Sequence, residues 1–173
     1  MSENFILWLI GPTSSGKTTI ASHFASNIKE KNIPVIHYDG DEVRDFFGTD
    51  LGFSETSRMR VVKTLVHLAN KARDAGLNVV ISALTANQAA RTYVNEHVNN
   101  LVTGYVCCSL DECIKRDVKG LYKKAISGEI KTVIGYNSPY IQPDNPDIIL
   151  DTEINSLDEI IKQLECYLRD SDS

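Results

Sequence analysis

The stretch "FILWLIGPTSSGKTT", Phe5 to Thr19, decides the fold. Phe5 to Ile10 is an unbroken apolar run, as expected for a strand covered on both faces. It stops at Gly11, where "GPTSSGKT" satisfies G-x-x-x-x-G-K-[ST]. Ile20, Phe24 and Ile28 then recur every four residues, which predicts an amphipathic helix over 17–31. Strand, glycine-rich loop and helix form a phosphate cradle. Glycines let the backbone approach phosphate oxygens, and loop N–H groups with the helix N-terminus face the anion. The candidate nucleotide-binding residues are Gly11, Thr13, Ser14, Ser15, Gly16, Lys17, Thr18 and Thr19. Lys17 is placed to reach the β- and γ-phosphates, and Thr18 to offer a hydroxyl to Mg²⁺. ATP is the expected nucleotide, because no guanine-reading N-K-x-D motif occurs. A chance Gly/Ser-rich turn is the alternative, and the flanking elements argue against it.

Working outward, apolar runs recur at 33–38, 77–83, 101–108 and 147–151. Between them, 57–75 places Val61, Leu65, Leu68 and Ala72 on one helical face, with Gly76 as its stop; 87–98 is a weaker helix. "SLDE" occurs at 109–112 and 156–159, each a capping box opening a helix. The tail "RDSDS" reads as frayed. Strands alternating with helices predict a three-layer α/β fold with a parallel sheet covered on both faces. Ligands of such sheets bind outside the carboxyl ends of the strands.

The 173-residue length suits one domain. Net charge is −5, so no global basic field recruits nucleic acid or an anionic membrane. No signal peptide and no span-length apolar stretch appears, which makes a cytoplasmic location the expectation. The four cysteines form no C-x-x-C pair. Cys107 and Cys108 read as small buried strand residues, with no disulfide or zinc role.

The third strand run ends in Ser82 where a metal-supporting Asp is commonly sought. That carboxylate must come from elsewhere, and "YDGDEVR", Tyr38 to Arg44, is the nearest source. Asp39 and Asp41 at the end of the second strand suit a pair that orients a substrate hydroxyl and accepts its proton. An Asp-Gly turn with Asp41 capping a helix that begins at Glu42 fits the same pattern. Pattern alone leaves both open.

"GPTSSGKTT", "DGDEVR", "DLGFSETSR", "RDVKGLYKKAISGEI" and "SPYIQPDNPDIILDT" occur in this order. Together they resemble the adenylylsulfate kinase (APS kinase) family, from the first strand to about residue 152. The resemblance implies a P-loop nucleoside triphosphate hydrolase fold in one domain, 1–173, with a short mobile lid at about 114–137. It implies ATP- and Mg²⁺-dependent phosphorylation of the ribose 3′-hydroxyl of adenosine 5′-phosphosulfate (APS), and a homodimer. By the same resemblance Asp41 is the catalytic base or hydroxyl-orienting group, and Asp39 supports it and the magnesium shell with Thr18. Lys17 and Arg116 join the catalytic set. Arg44 and Arg58 grip the acceptor's anion, and guanidinium forks suit phosphate and sulfate oxygens. Phe53 stacks on the acceptor base. Leu84 and Thr85 line the acceptor site, and Arg116 and Lys119, with Lys123 and Lys124 nearby, belong to the lid. Taken singly, Arg44 and Arg58 read as solvated helix arginines, Phe53 as core, and the lid cations as a basic helix face.

The chain also departs from the family pattern. Glu42 replaces Asn in D-G-D-N. Val61 stands where an Asn touches the acceptor, and Val133 where a second aromatic covers the base. Thr85 keeps a hydroxyl in place of a serine, and Ala86 replaces a proline. Losing one stacking face costs roughly 1–3 kcal/mol of base binding. A cytidine acceptor such as cytidine diphosphoramidate, in capsule biosynthesis, therefore stands beside APS and sulfate assimilation. A catalytically silent P-loop binding module is the reading from another class. Retention of Lys17, Thr18, Asp39, Asp41, Arg44 and Arg116 argues against it.

Overall fold

The computed structural model describes residues 4–48 and 51–171. Its sheet is five-stranded and all parallel, in the order β2-β3-β1-β4-β5. The strands are β1 (Ile6–Ile10), β2 (Val35–Asp39), β3 (Asn78–Ala83), β4 (Leu101–Cys107) and β5 (Ile148–Asp151). The helices are α1 (Lys17–Glu30), α2 (Gly40–Phe46), α3 (Glu55–Asp74), α4 (Gln88–His97), α5 (Leu110–Arg116), α6 (Leu121–Ile126) and α7 (Leu157–Ser171).

The period of two in β1 divides the core. Ile6, Trp8 and Ile10 face a cluster with Val62, Leu65 and Ala69 of α3 and Ala90 and Val94 of α4. Leu7 and Leu9 face the opposite cluster with Ile20 and Phe24 of α1 and Ile160 and Leu164 of α7. Each fully buried side chain of this size contributes about 1.5–3 kcal/mol. That is why β1 carries no polar residue. Cys113, Tyr122, Ala125 and Val133 form a small third cluster within 110–138.

Local chemistry revises several expectations. α3 begins at Glu55, two residues before the predicted start, because Ser54 caps it by accepting from the Ser57 amide. Only the second "SLDE" is reciprocal: the Ser156 amide donates to Glu159, and Ser156 Oγ accepts in return. At the first, Ser109 caps α5 but Glu112 turns to Lys115 and Arg116, so the Ser109 amide bonds Glu153 instead. Cys107 and Cys108 are half-buried, and the buried thiol is Cys113 on α5. The tail expected to fray extends α7 through Ser171; its last two residues lie outside the described range. Among the described residues no helix is long and apolar enough to cross a membrane.

Candidate active site

The loop after β1 turns into α1 through two left-handed residues, Ser14 at φ 63° and Gly16 at φ 102°. Gly11 is required by proximity: a Cβ there would lie 2.4 Å from the Val106 carbonyl oxygen of β4. Gly16 occupies the N-cap of α1 and offers no side chain, so the first-turn donors keep no side-chain cap. Ser15 is fully buried, and its hydroxyl has no hydrogen-bond partner. Lys17 folds back to donate to the carbonyls of Gly11 at 2.8 Å and Pro12 at 2.6 Å. Burial pulls its pKa down to about 8, against the opposing pull of Asp41 and Asp39. An ammonium that is costly to bury and held only by carbonyls suits exchange onto phosphate.

Two carbonyls of this loop accept from side chains of later segments. Tyr122 Oη donates to Thr13 O at 3.0 Å, and Thr152 Oγ1 to Ser15 O at 2.9 Å. Arg116 grips Thr152 through Oγ1 at 2.9 Å and the carbonyl at 2.8 Å, and pairs with Glu112. In this structure Arg116 therefore braces the loop through Thr152.

Asp39 is the hub of the carboxylate pair. α2 begins at Gly40, not Glu42, and its N-cap is Asp39, whose Oδ1 accepts from the Asp41 amide at 2.8 Å. The cap is thus two residues earlier than the Asp41 alternative required, and the Asp41 carboxylate is not used as a cap. Asp39 Oδ2 accepts from Thr18 Oγ1 at 2.7 Å and Ser82 Oγ at 2.6 Å. Burial alone raises the Asp39 pKa, but the hydrogen bonds from Ser82, Thr18 and the Asp41 amide outweigh it and hold the carboxyl below its usual range. Asp41 is exposed, and its Oδ2 meets the ammonium of Lys119. Such an exposed pair contributes about 1 kcal/mol or less.

Beside Asp41 the Arg44 guanidinium lies 5.0 Å over the Phe53 ring and donates to the Gly52 carbonyl. Arg58 donates to Phe53 O at 2.9 Å and to Thr132 O at 3.2 Å, and its Nη1 is buried without a partner. Burial lowers both arginine pKa values, and for Arg58 the nearby charge of Arg44 adds to it. Neither makes a carboxylate ion pair within 4.0 Å among the described residues. Phe53 is 61% exposed, with a face open to a planar ligand.

Other predicted acceptor residues are placed differently. Val61 is buried in the α3 core cluster and Val133 in the cluster around Tyr122. Neither side chain is presented as a surface beside Phe53. Leu84 is half-buried. Thr85 is buried in a left-handed turn at φ 39°, and its hydroxyl accepts from Trp8 Nε1 at 3.0 Å. Lys123 and Lys124 lie in α6 and are exposed.

Four contributors were missed from sequence: His37, Arg91, Tyr122 and Thr152. His37 bonds Ser82 at 2.9 Å. Arg91, 5% exposed, donates to the carbonyls of Thr85, Ala86 and Ile141. A signal existed for His37, since it sits two residues before Asp39 on the same strand face. Thr152 follows β5 at the carboxyl edge where ligands bind. Nothing local marks Arg91 or Tyr122.

Comparison with known proteins adds the following. The family model for adenylylsulphate kinase matches residues 3–151. A probable adenylyl-sulfate kinase of Pseudomonas aeruginosa is 36% identical over 160 residues, 92% of this chain and 75% of the relative. An adenylyl-sulfate kinase of Oceanobacillus iheyensis is 35% identical over 170 residues, 97% of this chain and 85% of the relative. The Mycobacterium tuberculosis APS kinase CysC, solved in complex with AMPPNP and APS, is similar with a TM-score of 0.91 and 31% identity, covering 98% of this chain and 99% of that one.

Proposed function

We propose that this chain, which belongs to the adenylylsulphate kinase family, moves the γ-phosphoryl group of ATP to the ribose 3′-hydroxyl of adenosine 5′-phosphosulfate. The products are ADP and the 3′-phosphorylated acceptor. Membership makes the chain a phosphotransferase with an alcohol acceptor. The observation that carries the finer reading is the patch beside Asp41: the Arg44 guanidinium over one exposed aromatic ring and the Arg58 guanidinium on the same residue's carbonyl, neither in a carboxylate ion pair among the described residues. A planar base with an anionic tail satisfies both halves of that patch at once.

In this reading Asp41 accepts the 3′-hydroxyl proton as the oxygen–phosphorus bond forms and the bond to the β-phosphate bridging oxygen breaks. Lys17 leaves the Gly11 and Pro12 carbonyls and follows the γ-phosphoryl oxygens. The segment 114–137 acts as the lid, and the weak Lys119–Asp41 contact exchanges for substrate when phosphates arrive. Mg²⁺ fits the residues present: Thr18 donates its hydroxyl proton to Asp39, which leaves lone pairs for a cation. Held there with the phosphates, it would neutralise phosphate charge. The homodimer implied by the resemblance belongs to this reading, and light scattering on purified protein tests it.

The cytidine acceptor draws no support from the relatives, whose names are adenylyl-sulfate kinase or probable adenylyl-sulfate kinase. It leaned on Val61 and Val133, whose side chains are buried. The deciding experiment is a coupled ADP-release assay with APS, cytidine diphosphoramidate and no acceptor, run on the unmutated chain and on Asp41→Asn. APS-dependent turnover that Asp41→Asn abolishes, with ATP binding kept, is expected. Turnover confined to the cytidine compound, or an unaffected Asp41→Asn, would sink the reading.

A further inference from the structure

His37 and Asp39 lie on the same face of edge strand β2, the face on which Val35 packs against the α1 cluster. Ile36 and Tyr38 point the other way, into the α3 cluster. Asp39 pairs in register with Ser82, while His37 pairs with Val80 and so stands diagonal to Ser82. The side chains close into a continuous chain: His37 Nε2 to Ser82 Oγ at 2.9 Å, Ser82 Oγ to Asp39 Oδ2 at 2.6 Å, and Thr18 Oγ1 to the same oxygen at 2.7 Å.

Proton counting gives this chain one direction. An ionised carboxylate only accepts, and a serine hydroxyl has one proton to give. Ser82 therefore donates to Asp39. It must then accept from His37, so Nε2 of His37 carries a hydrogen. Thr18 likewise spends its proton on Asp39, and its lone pairs are what it offers outward. Asp39 Oδ1 is held separately by the Asp41 amide.

We propose that His37 is a positioning residue of the phosphate site. It donates from Nε2 to Ser82, fixes the Ser82 hydroxyl on Asp39, and through Asp39 sets the orientation of the Thr18 hydroxyl and of the first turn of α2 that carries Asp41. Ser82 is 2% exposed, so water does not readily replace the histidine donor. The consequence for Mg²⁺·ATP rests on the function proposed above; the hydrogen-bond direction does not.

The test separates the two. In nucleotide-free, ¹⁵N-labelled protein, long-range ¹H–¹⁵N correlation spectra of the imidazoles are expected to show His37 as the Nε2–H tautomer, and Ser82→Ala to relax that preference. In His37→Phe, hydrogen-exchange protection of the Asp41 amide is expected to fall about 3- to 10-fold, the scale of one neutral hydrogen bond, while global stability stays close to that of the unmutated chain. His37→Gln, whose amide nitrogen reaches as far as Nε2, should restore protection, whereas His37→Asn, which reaches only as far as Nδ1, should not. With Mg²⁺·ATP, His37→Phe should weaken binding about 3- to 10-fold and leave binding of metal-free ATP unchanged. An Nδ1–H tautomer at His37, or an Asp41 amide unmoved in His37→Phe, overturns the proposal whatever the enzyme does. Absence of ATP binding in the unmutated chain would overturn the function reading and leave the tautomer result standing.

Discussion

Thr18 Oγ1 stands 2.7 Å from Asp39 Oδ2, which ties the first turn of α1 to the end of an edge strand that β3 separates from β1. The contact joins two motifs twenty-one residues apart into one site. Asp39 caps α2 in the same geometry, so removing it acts on both structure and chemistry.

Asp39→Ala strands the Thr18 and Ser82 hydroxyls and the Asp41 amide and removes a helix cap. We expect a loss of about 2–4 kcal/mol in urea unfolding at neutral pH. Because the folded-state pKa is depressed, Asp39 stabilises above its ordinary value of 3.8, and that contribution fades as pH falls through the lower folded value. Asp39→Asn should flatten the acid limb of the stability profile. An unchanged acid limb would remove Asp39 from the linkage.

Lys17 has a folded pKa of about 8 against an ordinary 10.5. Between those values the unfolded chain binds more protons, so stability without nucleotide should rise with pH there. Phosphates favour the ammonium, so ATP binding should take up protons near pH 8 and weaken above it. Calorimetry in two buffers of different ionisation enthalpy reads the uptake. Lys17→Met should abolish it; persistent uptake in that variant would point to another group.

Phe53→Ala should raise the acceptor KM by about 10- to 100-fold, the value of one base stack. The melting temperature and the ATP KM should hardly move, because the ring is 61% exposed. Equal effects on both substrates would mean that Phe53 shapes the loop rather than the acceptor subsite.

Arg91→Met should cost about 2–4 kcal/mol of stability, since the carbonyls of Thr85, Ala86 and Ile141 lose their donor. Arg91→Lys should recover little of it, because one ammonium does not reproduce a planar fork directed at two loops. A loss under about 0.5 kcal/mol would show that water satisfies those carbonyls.

The phosphate loop, the strand–helix alternation and the caps at Ser109 and Ser156 were legible because each depends on neighbours within about one turn of chain. Gly11 to Thr18 needs only a strand before it and a helix after it. Asp39 was readable as a candidate, but not as the cap of α2. That choice turned on whether Gly40 entered the helix, and Thr18 and Ser82 settle it from distant segments by fixing the Asp39 side chain.

Short-range pattern thus determined that this chain folds as a parallel α/β sheet with a phosphate-binding loop, and it marked the acidic pair. Tertiary structure decided the division of labour. Sheet order brought Ser82 between His37 and Asp39. Packing turned Val61 and Val133 inward and left Phe53 outward, and Thr152 took up the Arg116 guanidinium. The physical reason is range: strand periodicity and caps are local, whereas a buried hydroxyl or guanidinium goes wherever distant backbone supplies its partners.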